Sequence, residues 1–197
     1  MPLELFVALI VFSCVMAFTP GPNNVLLAAS GVNFGFSRTI PHMVGVTIGF
    51  IVLLVACGAG LGLVFVAVPS LQVVLKVAGA AYMLWLAYKV ATAHPADDTD
   101  APARPFTFLQ AAAFQWINPK AIFAAVSAIA VYVRPGHGHL DFPVMIAVLT
   151  VCTIGAVATW TGFGVALRSF LRDPAHARLF NGAMALLLVA SIVPMVI

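Results

Sequence analysis

Lys120 is the cation this chain carries deepest inside an apolar run, and it follows directly on Asn118 and Pro119. A dozen or so residues separate it from either end of that run, roughly 20 Å at helical rise and too far for comfortable snorkelling to an interface. An ammonium at that depth needs partners: a pathway to face, or carbonyls that hold it for structural ends alone. A second polar cluster in an apolar setting is Thr19-Pro20-Gly21-Pro22-Asn23-Asn24. Pro20 has no N–H to give the carbonyl of Met16, and Pro22 has none for that of Phe18, so backbone acceptors are freed. Freed carbonyls favour a cation, while the N-terminus of a restarting half-helix favours an anion. Asn23, Asn24 and Asn118 can donate, accept and cap such a restart. A cavity built from both kinds of helix end suits a zwitterion.

The elements that must position these groups are membrane helices. Hydrophobic residues make up 63% of the chain and charged ones 8%, against about 25% charged in soluble domains. A hydrocarbon core of about 30 Å needs about 20 apolar residues. Six such runs are present: Leu3 to Ala29, Pro41 to Val68, Leu71 to Ala91, Phe108 to Val133, Phe142 to Leu167 and Arg178 to Ile197. The sequence therefore predicts an all-α membrane protein of six transmembrane helices, a single transmembrane domain over residues 1–197. Its first helix is broken at the Thr19–Asn24 motif and its fourth at Gln115-Trp116-Ile117-Asn118-Pro119-Lys120. Each unsatisfied backbone group in hydrocarbon costs several kcal/mol, so broken backbone survives there only where protein buries it or where it lines a cavity. A lone proline that merely kinks a helix needs no such reading; paired, Asn-flanked breaks in matching places point to transport.

Three spans per half put a duplicated half upside down relative to the first. Thr47-Ile48-Gly49 recurs as Thr153-Ile154-Gly155, and Gly79-Ala80 as Gly182-Ala183, with Leu84 matched by Leu187 and Ala87 by Ala190. These matches predict two inverted three-helix repeats, residues 1–92 and 107–197, joined by a linker over 93–106 that holds Asp97, Asp98 and Asp100. The positive-inside rule sets the orientation. Arg38, Lys89, Arg104, Arg168, Arg172 and Arg178 fall in the loops on one side and Arg134 alone in a loop on the other, which places both termini outside. Glu4, with no Lys or Arg before the first apolar run, argues against a cleaved signal peptide.

The remaining features narrow the chemistry. Cys14, Cys57 and Cys152 are scattered with no Cys-x-x-Cys pair, which suits core filling rather than thiol-disulfide exchange. No carboxylate lies at membrane depth to relay protons, so His42 and Lys120 are the coupling candidates; for His42 a satisfied interfacial histidine is the commoner case. His137 and His139 beside Asp141 have a metal-like composition on a short, glycine-flexed stretch, and no metal site is expected there. Gly45-x-x-x-Gly49 fits a homodimer contact or, with the stronger claim, packing within the chain. Tyr82, Trp85 and Tyr88 fit interfacial anchors or a cavity wall alike. No nucleophile-base pair or metal-ligand cluster supports an enzyme, and nothing calls for a cofactor or a nucleic-acid partner.

Thr19-Pro20-Gly21-Pro22-Asn23-Asn24, Gly35-Phe36-Ser37-Arg38, Lys76-Val77-Ala78-Gly79-Ala80-Ala81-Tyr82 and Asn118-Pro119-Lys120-Ala121 together resemble the LysE/RhtB amino-acid exporters over essentially the whole chain. The resemblance implies export of amino acids across a bacterial inner membrane, driven by protons, with basic, neutral and hydroxylated substrates all known in the family. The expected site joins Lys120 and a half-helix N-terminus to a substrate carboxylate, and carbonyls near Met16 and Phe18, with Asn23, to its ammonium, the two halves rocking about it. A cation or metal exporter of the wider superfamily and a non-transporting membrane subunit are the alternatives.

Overall fold

The computed structural model describes residues 1–61, 67, 69–92, 104–190 and 192, and these are helical with short breaks. The helices are α1 (Leu3–Phe18), α2 (Pro22–Ala56), α3 (Pro69–Ala91), α4 (Phe108–Phe114), α5 (Pro119–Tyr132), α6 (Gly138–Leu167) and α7 (Pro174–Ala190). A π-helical turn, Cys57–Leu61, extends α2, and a 3₁₀ turn, Phe170–Arg172, precedes α7. Most of the expected linker, with Asp97, Asp98 and Asp100, lies outside the described residues, as do parts of the second and sixth expected spans. Pro22–Gly60 and Gly138–Leu167 are long and apolar enough to cross a membrane, and α4 with α5 pass that test together as a pair bent by 61°. The chain is thus a multi-pass membrane protein.

Both expected interruptions are present. α1 stops at Phe18 and α2 starts at Pro22; α4 stops at Phe114 and α5 starts at Pro119. Each restart has proline in its first turn, where the missing N–H has no intrahelical partner to lose.

The stretch between the first two expected spans differs from a loop. Residues 30–40 are helical on both sides of Gly35, whose φ of 78° supplies the change of direction that an L side chain would resist. Ser30 Oγ consequently lies 2.8 Å from Thr39 Oγ1, although a straight helix would set the two residues about 13 Å apart. α2 therefore has two arms, residues 22–34 and 36–56.

Small residues bring the backbones together. A Cβ at Gly45 would meet the carbonyl of Phe108 and the Ala111 side chain, and one at Gly49 would meet Ala112 Cα at 2.6 Å. Gly45-x-x-x-Gly49 is taken up by α4, within the chain. Along the same arm Val44, Ile48, Val52 and Val55 form an exposed apolar stripe fit for lipid.

Three local features take definite positions. Cys14 and Cys152, distant in sequence, approach to 3.6 Å between sulfurs where α1 meets α6, while Cys57 fills the core. Asp141 is fully buried and held by Arg134 through Nε at 2.7 Å and Nη2 at 3.0 Å, so it is committed to an ion pair. Tyr82 packs on Phe114, ring centroids 5.2 Å apart, and Trp85 and Tyr88 lie exposed on α3.

Candidate functional site

The first break cannot repair itself, because Pro20 and Pro22 withhold the N–H groups a continuing helix would supply. Its acceptors are served from elsewhere. Asn24 Nδ2 donates to the carbonyls of Ala17 and Thr19, both at 2.8 Å. Trp160 Nε1 on α6 donates to Phe18 O at 3.3 Å. Lys120 Nζ, from the second break, donates to Thr19 O at 2.7 Å, Thr19 Oγ1 at 2.8 Å and Pro20 O at 3.3 Å. All three ammonium protons thus have acceptors. The acceptors around the lysine are those of Thr19 and Pro20; the Phe18 carbonyl, expected for a substrate ammonium, is occupied by the indole of Trp160.

Gly21 lies where this bridge passes. Its backbone is extended, so conformation does not demand glycine, but space does: a Cβ would sit 2.9 Å from Lys120 Cδ and 3.1 Å from Nζ.

The second break is closed by its own backbone. Gln115, Trp116 and Ile117 donate to Ala112, Ala113 and Phe114 at 3.1–3.3 Å, and Asn118 N reaches Phe114 O at 2.9 Å. Asn118 then caps α5, its side chain accepting from Lys120 N at 3.1 Å. Pro119 occupies the first turn and makes no other contribution to the site.

An amide clasp joins the two breaks. Asn23 Nδ2 donates to Gln115 Oε1 at 2.8 Å and Gln115 Nε2 donates back to Asn23 Oδ1 at 3.2 Å, with a further bond from Nε2 to Ala111 O at 2.8 Å. Gln115 is visible in the sequence only as part of the interrupted motif; its partner lies 92 positions away.

A cavity of about 70 Å³ lies against both breaks. Of the residues singled out in the sequence as site candidates, Gly21, Pro22, Asn23, Asn24, Asn118 and Lys120 contribute to its wall, and Gln115, Ser13 and Thr153 join them. Phe50 and Leu149 are among its apolar lining. Thr19 and Pro20 act through Lys120 rather than in the wall itself. His42 is elsewhere: it is buried on the second arm of α2, its ring 5.3 Å from that of Phe106, and neither ring nitrogen has a partner among the described residues.

The LysE type translocator family model matches residues 14–193. The chain is a member of the LysE translocator family. The translocator is 33% identical over 181 residues to the cysteine/O-acetylserine efflux proteins of Escherichia coli strain K12 and Shigella sonnei strain Ss046, with 90% of each chain covered. No solved structure matches it. The family consists of transporters, not enzymes.

Proposed function

We propose that this translocator exports small neutral α-amino acids from the cytoplasm across the bacterial inner membrane, by alternating access coupled to protons. The observation that carries the reading is the ammonium of Lys120 resting on the Thr19 and Pro20 carbonyls beside a cavity that touches both breaks. That arrangement is what an amino acid's own ammonium would seek, so Lys120 serves as a built-in stand-in for it. When substrate enters, its carboxylate meets Lys120 and the N-terminal N–H groups of α2 or α5, and its ammonium shares the carbonyls Lys120 holds. A cavity of about 70 Å³ favours a short side chain, and a lysine in its wall disfavours a cationic one. The function for which the relatives are named, cysteine and O-acetylserine efflux, agrees with a small neutral solute.

The surrounding architecture in this reading is six spans in two inverted repeats, residues 1–92 and 107–197, forming one domain about the 93–106 linker, with both termini on the outer side. Reporter fusions at residues 38, 100 and 137 test that orientation, the first two on the cytoplasmic side and the third outside. His42 is the coupling candidate that stands apart from the substrate. His42→Phe is expected to retain amino-acid exchange and lose its response to an imposed proton gradient; an unchanged response removes His42 from coupling. The test of the main reading is amino-acid accumulation in cells fed dipeptides. Expression of the protein is expected to lower intracellular serine, cysteine or alanine, and equal accumulation with and without it would refute export.

A further inference from the structure

Some hydroxyl groups on the helices of this protein turn back onto their own backbone. Thr39, Thr47, Thr92 and Thr159 each donate to the carbonyl four residues earlier at 2.8–3.0 Å. Such back-bonding is how a hydroxyl satisfies itself in an apolar helix. Ser13 on α1, Thr150 and Thr161 are different: their buried hydroxyls have no hydrogen-bond partner among the described residues, and of these three Ser13 alone lies in the cavity wall, fully buried. Thr153 on α6 is half-buried and likewise makes no hydrogen bond among the described residues. Ser13 and Thr153 both stand in the wall of the cavity described above, on two different helices.

An unmatched buried hydroxyl destabilises the state that contains it, and a polar cavity occupant is the partner that removes this cost. Ser13 precedes Ala17 by one helical turn, about 6 Å, and Ala17 O is held by Asn24 at the break. The polar groups that read the α-carboxylate and α-ammonium therefore cluster at the break, and Ser13 lies one turn further along α1.

We infer that Ser13 and Thr153 form a side-chain subsite of the cavity, which selects amino acids carrying a polar atom on the β-carbon: hydroxyl, thiol or an ester of the hydroxyl. A hydroxyl both donates and accepts, so it serves O–H, S–H and ester oxygen alike. An isosteric alanine-type or ethyl side chain leaves the pair unmatched and is disfavoured. This inference rests on the amino-acid export proposed above and adds the substrate class.

The experiment is export from proteoliposomes of purified protein loaded with serine against alanine, and with cysteine against 2-aminobutyrate. The wild type is expected to favour the β-polar member of each pair. Ser13→Ala and Thr153→Val are each expected to reduce that preference about three- to tenfold, as loss of one hydrogen bond implies, read as the ratio of serine to alanine export and of cysteine to 2-aminobutyrate export. Ser13→Cys is expected to restore part of it. Thr150→Val is the matched control, since Thr150 Oγ1 is also unpartnered but lies outside the cavity wall. An unchanged preference in both variants, or an equal shift in Thr150→Val, overturns the subsite. If Ser13→Ala proves inactive towards all four solutes, Thr153→Val alone decides. Failure of the wild type to export any of the four overturns the export reading instead.

Discussion

The two breaks face one difficulty, backbone acceptors without partners in an apolar setting, and resolve it in opposite ways. At the second, four consecutive backbone N–H groups fold back onto α4 and Asn118 caps the restarting α5. At the first, two prolines prevent this, and donors arrive from Asn24, from Trp160 of α6 and from Lys120 of α5. A self-closed break is a fixed platform. A break whose donors come from other elements is a socket, and its donors can be exchanged without unfolding it. The second break therefore presents Lys120, and the first receives it.

The largest effect should come from removing the ammonium. Lys120→Met is expected to abolish amino-acid efflux while the protein still inserts in the membrane, as read by export assay and membrane fractionation. Normal efflux would leave the socket with no role for this lysine. Next is the passage beside it: Gly21→Val places atoms where Lys120 Cδ and Nζ lie. Efflux is expected to fall about tenfold or more with the fold intact, since small misplacement of a binding group costs that much. Wild-type efflux in this variant would show that the bridge has another route.

The clasp between the breaks comes third. Asn23→Leu and Gln115→Leu are each expected to destabilise the protein by about 1–3 kcal/mol, because the first leaves the buried Oε1 of Gln115 without its donor and the second leaves the half-buried amide of Asn23 without its partner. The double variant should lose less than the sum of the two, and strict additivity in thermal unfolding would mean that the amides act independently. Smallest is Asn118→Ala, which removes only the cap of α5 and is expected to cost about 1 kcal/mol. A much larger loss would mean that the second break is not self-sufficient.

Much of this contrast can be read from local residue order. Proline and glycine interrupt a helix wherever they stand, so both breaks announce themselves, and the depth of Lys120 comes from counting along its run. What escapes is whatever depends on a partner remote in the chain. The indole of Trp160 reaches a carbonyl 142 positions away, and Cys14 meets Cys152 across 138. No periodicity encodes either meeting. The bend at Gly35 escapes for another reason: a single glycine among helix-compatible residues does not distinguish a corner from a loop until its φ is known. His42 is legible as a titratable group in an apolar run, but its separation from the cavity is not.

The seam between α2 and α6 has a mechanical consequence. A Cβ on Gly31 would run into the Thr161 carbonyl, and one on Gly164 into that of Ala28, so the first arm of α2 and the helix α6 touch main chain to main chain. With no layer of side chains to glide over, such a joint acts as a weld. It fastens a piece from early in the chain to a piece from late in it. In the alternating access proposed above, the swinging bodies would then be chimeras of both halves, not the two halves that the sequence alone suggests. Bridging Cys14 to Cys152 with a thiol cross-linker tests where the hinge falls: arrested export puts it between α1 and the welded block, and undiminished export makes α1 part of that block.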